Sequence, residues 1–253
     1  MTFKERITRL LLRNATIPIF ALVLLFFGLQ SPGFLSPENI ANIIKQSSFI
    51  GIAAVGMTFV LLTRGIDLSV GSVMYLGPLI AGIAMRELPI GVAGGLVTAV
   101  LAGLAMGAIN ALFIVRLNIA PFIVTLATLF FFRGAGTWIT SSRQFDFDRS
   151  LLDFGLASVY GVPLPVIIFA LFAIAAWIVL SRTTFGRQIY AVGADPEVAR
   201  KAGIHADWVR ARVYMISSAC AATAGFILIA QIGRLDVAFV FTSDQCHGGA
   251  FTS

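Results

Sequence analysis

Apolar runs separated by short polar breaks dominate the chain from Ala15 to Ala238. A helix needs about 20 apolar residues to cross a membrane, and runs near that length occur at about 15–30, 39–63, 71–85, 90–115, 119–140, 162–181 and 211–231. Their periodicity is helical or absent, and the alternating pattern of a membrane β-barrel is missing. The pattern therefore predicts an all-α fold, a polytopic transmembrane helical bundle of about seven spans over 15–238.

Composition favours a membrane protein over a soluble one. Hydrophobic residues make up 58% of the 253 residues and charged residues 12%, whereas about a quarter of a soluble domain is charged. The net charge of +6 does not indicate nucleic-acid binding, because the Lys and Arg residues lie at the ends of the apolar runs, where they set membrane topology. Membrane lipid is therefore an expected partner and nucleic acid is not.

Charge counting predicts that the N-terminus, a basic arm at 1–14, faces the cytoplasm. With the spans alternating from there, the short inner loops are richer in Lys and Arg than the outer loops, as the positive-inside rule requires. The inner set is Lys4, Arg6, Arg9, Arg13, Arg64, Arg116, Arg182, Arg187, Arg200, Lys201, Arg210 and Arg212, and the outer set is Lys45, Arg86, Arg143, Arg149 and Arg234. No A-x-A cleavage site follows the first apolar run, so we expect no cleaved signal peptide.

One polar stretch, Ser181–Arg212, interrupts the apolar pattern with charges every few positions and contains a well-specified short helix. Asp195 can cap the N-terminus of that helix, Pro196 suits its first position, and Glu197 adds negative charge where the helix dipole favours it. Gly203 is a natural helix stop. A second start signal follows, because Asp207 precedes the next apolar run.

This stretch has two interpretations. It is either an ordinary hydrophilic loop or a docking element for a partner on the cytoplasmic side. Its helix signals, basic charge and position between two spans favour docking, so we treat 182–212 as a cytoplasmic coupling loop.

Catalytic and cofactor motifs are missing from the sequence. The two histidines, His205 and His247, have no spaced partners for a metal site, and Cys220 and Cys246 form no disulfide framework. The chain has neither a G-x-S-x-G elbow nor a G-x-x-x-x-G-K-[ST] phosphate loop. We therefore expect no enzyme activity, cofactor or metal, and any ATP-driven step requires a separate subunit.

Two charged positions inside the apolar pattern are candidates for a translocation pathway. Asp67 lies in the break RGIDLSVG with Ser69, and it either caps the next helix or serves a substrate or proton. Asp67 could also pair with Arg64. Arg133 lies well inside an apolar run. Its side chain either faces the bundle as a counter-ion or reaches the outer surface.

Three motifs in order resemble one family. GMTFVLLTRGIDLSVGSVM at 56–74, APFIVTLATLFFFRGAG at 120–136 and TTFGRQIYAVGADPEVARKAGI at 183–204 are similar to the permease subunits of bacterial ABC sugar importers of the ribose, arabinose, xylose and galactose group. The resemblance covers about 40–238 and implies a multi-pass protein of the bacterial plasma (inner) membrane. It also implies a cytoplasmic ATPase subunit, an extracytoplasmic sugar-binding protein and a second permease subunit, identical or different.

The resemblance assigns the ATPase-coupling role to one segment. Carried over by motif, that role falls on Gly193, Asp195, Pro196, Glu197, Ala199, Arg200 and Gly203. Family members usually have a second glycine and an asparagine where this chain has Ala194 and Asp195, and both replacements are compatible with a helix start.

Two alternatives to a working sugar importer stay open at this stage. An ion-coupled secondary transporter or channel would need an ionisable site near the middle of the membrane, for which Asp67 and Arg133 are the candidates. The tail at 239–253, FVFTSDQCHGGAFTS, departs from the family pattern. It is expected to be a truncated or frameshifted end, which would allow a non-functional permease.

Overall fold

The computed structural model describes residues 16–31 and 33–235, and the chain divides into two units, 1–44 and 45–253. In these residues the α-helices are α1 (Thr16–Gln30), α2 (Pro37–Leu62), α3 (Val70–Glu87), α4 (Gly91–Ala111), α5 (Pro121–Ile139), α6 (Arg149–Leu156), α7 (Leu164–Arg182), α8 (Thr184–Ala194), α9 (Pro196–Lys201) and α10 (Ala206–Ile232). A π-helical turn, Leu112–Arg116, continues α4. The short strands are β1 (Phe145–Asp146), β2 (Ser158–Val159), β3 (Val162–Pro163) and β4 (Arg234–Leu235).

The predicted all-α membrane fold is confirmed, and the helices follow the apolar runs closely. Within the described residues, five helices are long and apolar enough to cross a membrane: Pro37–Leu62, Gly91–Arg116, Pro121–Ile139, Leu164–Arg182 and Ala206–Ile232. The described apolar part of α1 is shorter, and α3 is not among the five. The count of about seven spans and the cytoplasmic N-terminus therefore stay predictions, and the arm at 1–14 and the tail at 239–253 lie outside the described residues.

In the first unit, local hydrogen bonds set the start of α2. The Ser36 hydroxyl accepts a hydrogen bond from the Asn39 backbone N–H (3.2 Å), and the Asn39 amide donates to the Phe34 carbonyl (2.7 Å). Pro37 occupies the first helical position, where its missing N–H costs nothing. The helix thus begins two residues before the apolar run predicted at about 39–63.

In the second unit, α10 is the most buried of the long helices. About 78% of its most apolar 18-residue window is buried, against 6% for α7. It contacts α4 and α3 at positions where glycine replaces a side chain, and a Cβ at Gly225 would collide with the Met74 carbonyl. Because lipid offers no hydrophobic driving force between helices, close backbone approach of this kind supplies much of their association.

One of two glycine pairs in α4 makes that approach. Gly91–Gly95 and Gly103–Gly107 both have the small-xxx-small spacing typical of packed membrane helices. A Cβ at Gly103 would lie 2.5 Å from the Ser218 carbonyl oxygen, and one at Gly107 would lie 2.6 Å from the Met215 Cα. Gly91 has open space instead, with φ +60°. The second pair therefore forms the α4–α10 contact.

The two ends of α10 belong to different apolar clusters. One cluster surrounds the start of α10. It consists of buried side chains from the end of α2, the π-helical turn, the start of α5, α8 and α9. We call this part of the second unit the α8–α9 end. Towards the end of α10, Ala230 and Leu235 join side chains of α3 and α6 in a second cluster. These clusters place the loops around Arg64, Arg116 and Arg200 at the same end of the second unit.

The residues between α5 and α7 contain regular structure. The helix α6 buries Leu151, and Gly155 lies directly against the Ala230 carbonyl. Antiparallel pairing joins β1 with β4 and β2 with β3. The apolar pattern does not reveal α6, because the helix is only eight residues long and contains two charged residues, Arg149 and Asp153.

We predict that Gly107→Ala destabilises the protein relative to Gly134→Ala. A methyl group at Gly107 overpacks the α4–α10 contact at a cost of about 1–3 kcal/mol, whereas Gly134 on α5 has no neighbour within 4 Å of its Cβ position. Both variants gain the same helix propensity, so their difference isolates packing. Thermal unfolding in detergent should differ by roughly 5 °C, and equal midpoints would contradict the contact.

Candidate functional site

The polar stretch between the last two long helices folds as two helices rather than one. Thr183 caps α8, because its hydroxyl accepts a hydrogen bond from the Gly186 backbone N–H at 3.1 Å. The sequence analysis predicted only the second helix, α9. Thr183 was the available signal for the first, since threonine is a favoured capping residue.

The predicted cap of α9 is present in the structure. Asp195 Oδ1 accepts hydrogen bonds from the backbone N–H groups of Glu197 (2.8 Å) and Val198 (3.1 Å), and Pro196 opens the helix. Gly203, with φ +82°, lies just beyond its end. A left-handed residue there lets the chain leave the helix without steric cost.

A salt bridge joins α9 to the first turn of α10. Arg200 Nη2 lies 2.9 Å from Asp207 Oδ1, and each side chain is 53% exposed. Asp207 was predicted as a helix start signal, but α10 begins one residue earlier, at Ala206, with His205 in the capping position and no side-chain cap. The carboxylate of Asp207 instead bonds Arg200.

The predicted coupling residues divide into an inward and an outward group. Gly193 and Ala199 are buried, and Gly193 lies directly against the Leu62 carbonyl at the end of α2. Pro196 is partly buried. The outward group, which is exposed to solvent, is Asp195, Glu197, Arg200 and Gly203.

Large apolar side chains lie beside the outward group. Val198 is 60% exposed and Trp208 is 66% exposed. A cavity of about 820 Å³ extends from Trp208 and His205 to Arg116 on the π-helical turn. The α8–α9 end therefore combines charge, exposed apolar surface and a recess.

The segment between α2 and α3 breaks the helical hydrogen-bond pattern. The N–H groups of Thr63 and Gly65 both donate to the Val60 carbonyl (3.1 and 3.0 Å), and Arg64 adopts φ +58°. Arg64 is exposed, whereas Asp67 is 2% exposed. No ion pair joins these two residues, both of which belong to the described part of the chain. We call residues 63–69 the break segment.

Asp67 lies at the centre of a buried hydrogen-bond cluster. Its Oδ1 accepts from the Ser69 N–H (3.0 Å) and the Ser69 hydroxyl (2.6 Å), and its Oδ2 accepts from the Ser217 hydroxyl (3.0 Å). The Ser69 hydroxyl in turn accepts from the Asn110 amide (2.8 Å). The cluster of Asp67, Ser69, Asn110 and Ser217 thus connects the break segment with α4 and α10.

These hydrogen bonds offset the free-energy cost of burying the Asp67 carboxylate. A buried carboxylate is costly unless hydrogen bonds compensate it, and each bond to a charged group contributes about 1.5–3 kcal/mol. Ser69, not Asp67, occupies the capping position of α3, so Asp67 forms a turn just before the helix. The interpretation of Asp67 as the cap of α3 is therefore wrong, and the substrate or proton role of Asp67 stays a prediction.

Sequence reasoning missed Ser217 and Asn110. Both lie in apolar runs, MISSACAAT and GAINAL, and both are fully or almost fully buried. Their signal was a polar side chain inside a predicted span, which requires a partner. A serine or asparagine inside an apolar run is a weaker signal than a charged residue, and only the fold identifies its partner.

Arg133 does not join this cluster. It lies on α5 eight residues beyond Thr125, or about 12 Å along a helix, while Thr125 itself contacts the Ile66 carbonyl at 3.4 Å. Arg133 is partly buried beside an open recess of about 700 Å³ that includes Thr137 and Trp138. The structure therefore brings Asp67 and Ser69 together and leaves Arg133 elsewhere.

Comparison with known proteins identifies the family. The model for the branched-chain amino acid transport system / permease component matches residues 39–243. The chain belongs to this family of ABC-importer permeases. The match ends inside the tail at 239–253, whose Cys246 and His247 lie outside the described residues.

The chain is similar to three permeases that are named for the sugar they transport. The chain is 33% identical to the ribose import permease protein of Haemophilus influenzae over 91% of this chain and 73% of that protein. It is 34% identical to the D-allose transport system permease protein of Escherichia coli (88% and 69%) and 37% identical to the ribose import permease protein of the same species (80% and 64%). The comparison with solved structures gives no match.

Family membership confirms several predictions. The chain is a multi-pass inner-membrane permease component and not itself an enzyme, because the ATPase of such importers is a separate subunit. Importers of this kind also use a substrate-binding protein. The roles of individual residues are not decided by membership.

We predict that Asp195→Ala loosens α9 while Asp195→Asn preserves it. Loss of a capping side chain costs about 1 kcal/mol, which corresponds to roughly fivefold faster local opening, and asparagine keeps an accepting oxygen. Hydrogen exchange of the peptide covering 196–202 measures the effect. Equal protection in the alanine variant would show that the cap does not hold this helix.

Proposed function

We propose that this chain is the membrane-spanning subunit of an importer that moves a monosaccharide into the cell, powered by a separate ATPase. The observation that carries this proposal is its identity of 33–37% with ribose and allose permeases over most of its length. Five apolar helices of membrane length support the pathway role. The missing phosphate-loop motif assigns ATP hydrolysis to the partner.

The α8–α9 end is the cytoplasmic side in this proposal. Its clustered elements carry the basic positions that charge counting assigned to the inside, among them Arg64, Arg116 and Arg212. Cytoplasmic loops of membrane proteins are enriched in such residues. The opposite end, with α6, would then face the sugar-binding protein.

The ATPase docks on the outward face of α9 and the first turn of α10. Asp195, Glu197 and Arg200 supply polar contacts, and Val198 and Trp208 supply apolar ones. Exposed tryptophan and arginine are the residues that dominate binding energy at interfaces. The buried Gly193 and Ala199 support this surface from within and do not touch the ATPase.

A second permease subunit, identical or different, and lipid cover the remaining apolar surface. Leu171 and Ile174 on α7 are 61% and 54% exposed, and that helix is the least buried of the five long ones. Such side chains are stable only against lipid or another membrane helix. We assign the face of α7 to lipid.

Reconstitution tests the proposed function. Proteoliposomes containing the chain, its cognate ATPase and an external sugar-binding protein should take up ribose or allose when ATP is enclosed with the ATPase. Omission of the ATPase should abolish uptake. Sugar uptake by the chain alone, driven by a proton or sodium gradient, would instead identify an ion-coupled transporter.

Substitution of Trp208 tests the docking surface. We expect Trp208→Ala to weaken co-purification with the ATPase by about 2 kcal/mol, or roughly 30-fold in affinity, as for a central interface tryptophan. Trp138→Ala is the matched control, because Trp138 is 83% exposed at the far end of α5. Equal binding by both variants would remove Trp208 from the interface.

Arg200→Glu separates docking from local stability. The exposed Arg200–Asp207 pair contributes at most about 1 kcal/mol, so the variant should fold but recruit less ATPase. The charge-swapped double variant, Arg200→Glu with Asp207→Arg, restores the pair without restoring the docking charge. If the swap recovers recruitment fully, Arg200 acts through Asp207 and not through the ATPase.

A further inference from the structure

The break segment is the place where the α8–α9 end meets the core of the second unit. On one side, Gly193 of α8 lies so close to the Leu62 carbonyl that no Cβ fits between them. On the other side, α10 contacts the segment through Tyr214, whose hydroxyl lies 3.4 Å from the Ile66 carbonyl, and through Ser217. Both α8 and α10 therefore contact the break segment or the residue directly before it.

Two contact routes lead from the docking helix to Asp67. The first runs from α9 through the Arg200–Asp207 bridge to the start of α10, and Ser217 lies ten residues, nearly three helical turns, further along. The second runs through α8 to the end of α2, just before the break. The first route ends at Asp67, shortly before α3, and the second ends at Leu62, directly before the break segment.

The cluster around Asp67 can hold the break segment to both α4 and α10. Neutral hydroxyl and amide groups donate the hydrogen bonds in this cluster. Each hydrogen bond to the Asp67 carboxylate is directional and contributes about 1.5–3 kcal/mol. Ser217 attaches Asp67 to α10, and Asn110 attaches Ser69 to α4. Ser69 is 0% exposed and Asp67 is 2% exposed, so these bonds are shielded from bulk solvent.

We infer that Ser217 and Asn110 are positioning residues that, through Asp67 and Ser69, transmit movement of the ATPase-docking end to α3. This inference rests on the proposed function and deepens it. Asp67 then contacts no sugar and exchanges no proton. Its carboxylate holds the break segment to α10, so that displacement of α10 moves the start of α3 with it.

The test measures sugar transported per ATP hydrolysed by the full importer. Ser217→Ala removes one bond to Asp67 and should lower this ratio about tenfold or more, while ATP hydrolysis stays within about twofold of wild type. A purely structural role would reduce assembly, transport and hydrolysis together. An unchanged ratio would overturn the inference.

Ser218→Ala is the matched control. Ser218 is the next residue on α10, is equally buried, and its hydroxyl has no hydrogen-bond partner among the described residues. The substitution removes the same atom without removing a bond. A loss as large as that of Ser217→Ala would assign the effect to α10 packing and overturn the positioning role.

Asp67→Asn decides between position and charge. The amide keeps an acceptor for Ser69, and the Ser217 hydroxyl can accept from the new N–H₂ group, so the ratio should stay within about threefold of wild type, far above that of Asp67→Ala. If Asp67→Asn abolishes transport as completely as Asp67→Ala, the charge itself is required, and the inference is wrong. This comparison also decides the question if Ser217→Ala fails to assemble.

The wild-type complex distinguishes failure of the proposed function from failure of the positioning role. If it shows no ATP-dependent sugar uptake, the proposed function fails before any variant is considered. If it transports sugar and the Ser217→Ala ratio is unchanged, only the positioning role fails.

Discussion

A carboxylate buried between helices constrains this protein more than any other single group. Asp67 cannot remain in an apolar bundle without donors on both of its oxygens, and it finds them on its own segment and on α10. These bonds connect the break segment to the start of α3 and to the face of α10 that carries Ser217. Asn110 extends the constraint to α4.

The same region explains why glycine occurs where it does. Gly193 and Gly107 carry no side chain because backbone from another helix occupies the space. Helices in lipid gain stability from such close approach, and here it also brings polar side chains of α4 and α10 within bonding distance of the break segment. Glycine contacts and the Asp67 cluster thus depend on each other.

The surface of the α8–α9 end differs in character from its interior. Inside, Ala199 and Gly193 contact apolar or backbone atoms, while outside, Val198, Trp208 and the Arg200–Asp207 pair face solvent. Such an arrangement gives a rigid support for the polar and aromatic face on which we propose that the ATPase docks. The family motif thus contains both buried residues, which pack against other helices, and exposed ones.

Much of this could be predicted from the sequence, because the determinants are local. Helix bounds follow apolar runs whose length the membrane sets, and the α9 cap follows from Asp195 and Pro196 acting on their neighbours. The helix α6 escaped prediction because its burial against α10 comes from distant residues. The family motif likewise could not show that Gly193 is buried and Asp195 exposed, since burial depends on which residues pack against each position.

The sequence by itself determined the membrane class, the positions of the long helices, the cap of α9 and the family, because these depend on composition and on neighbours along the chain. Only the tertiary structure decided that Asp67 bonds Ser217 and connects to Asn110, and that Gly193 faces Leu62. Those pairs are separated by up to 150 residues. A hydrogen bond between such partners exists only when packing brings their helices together.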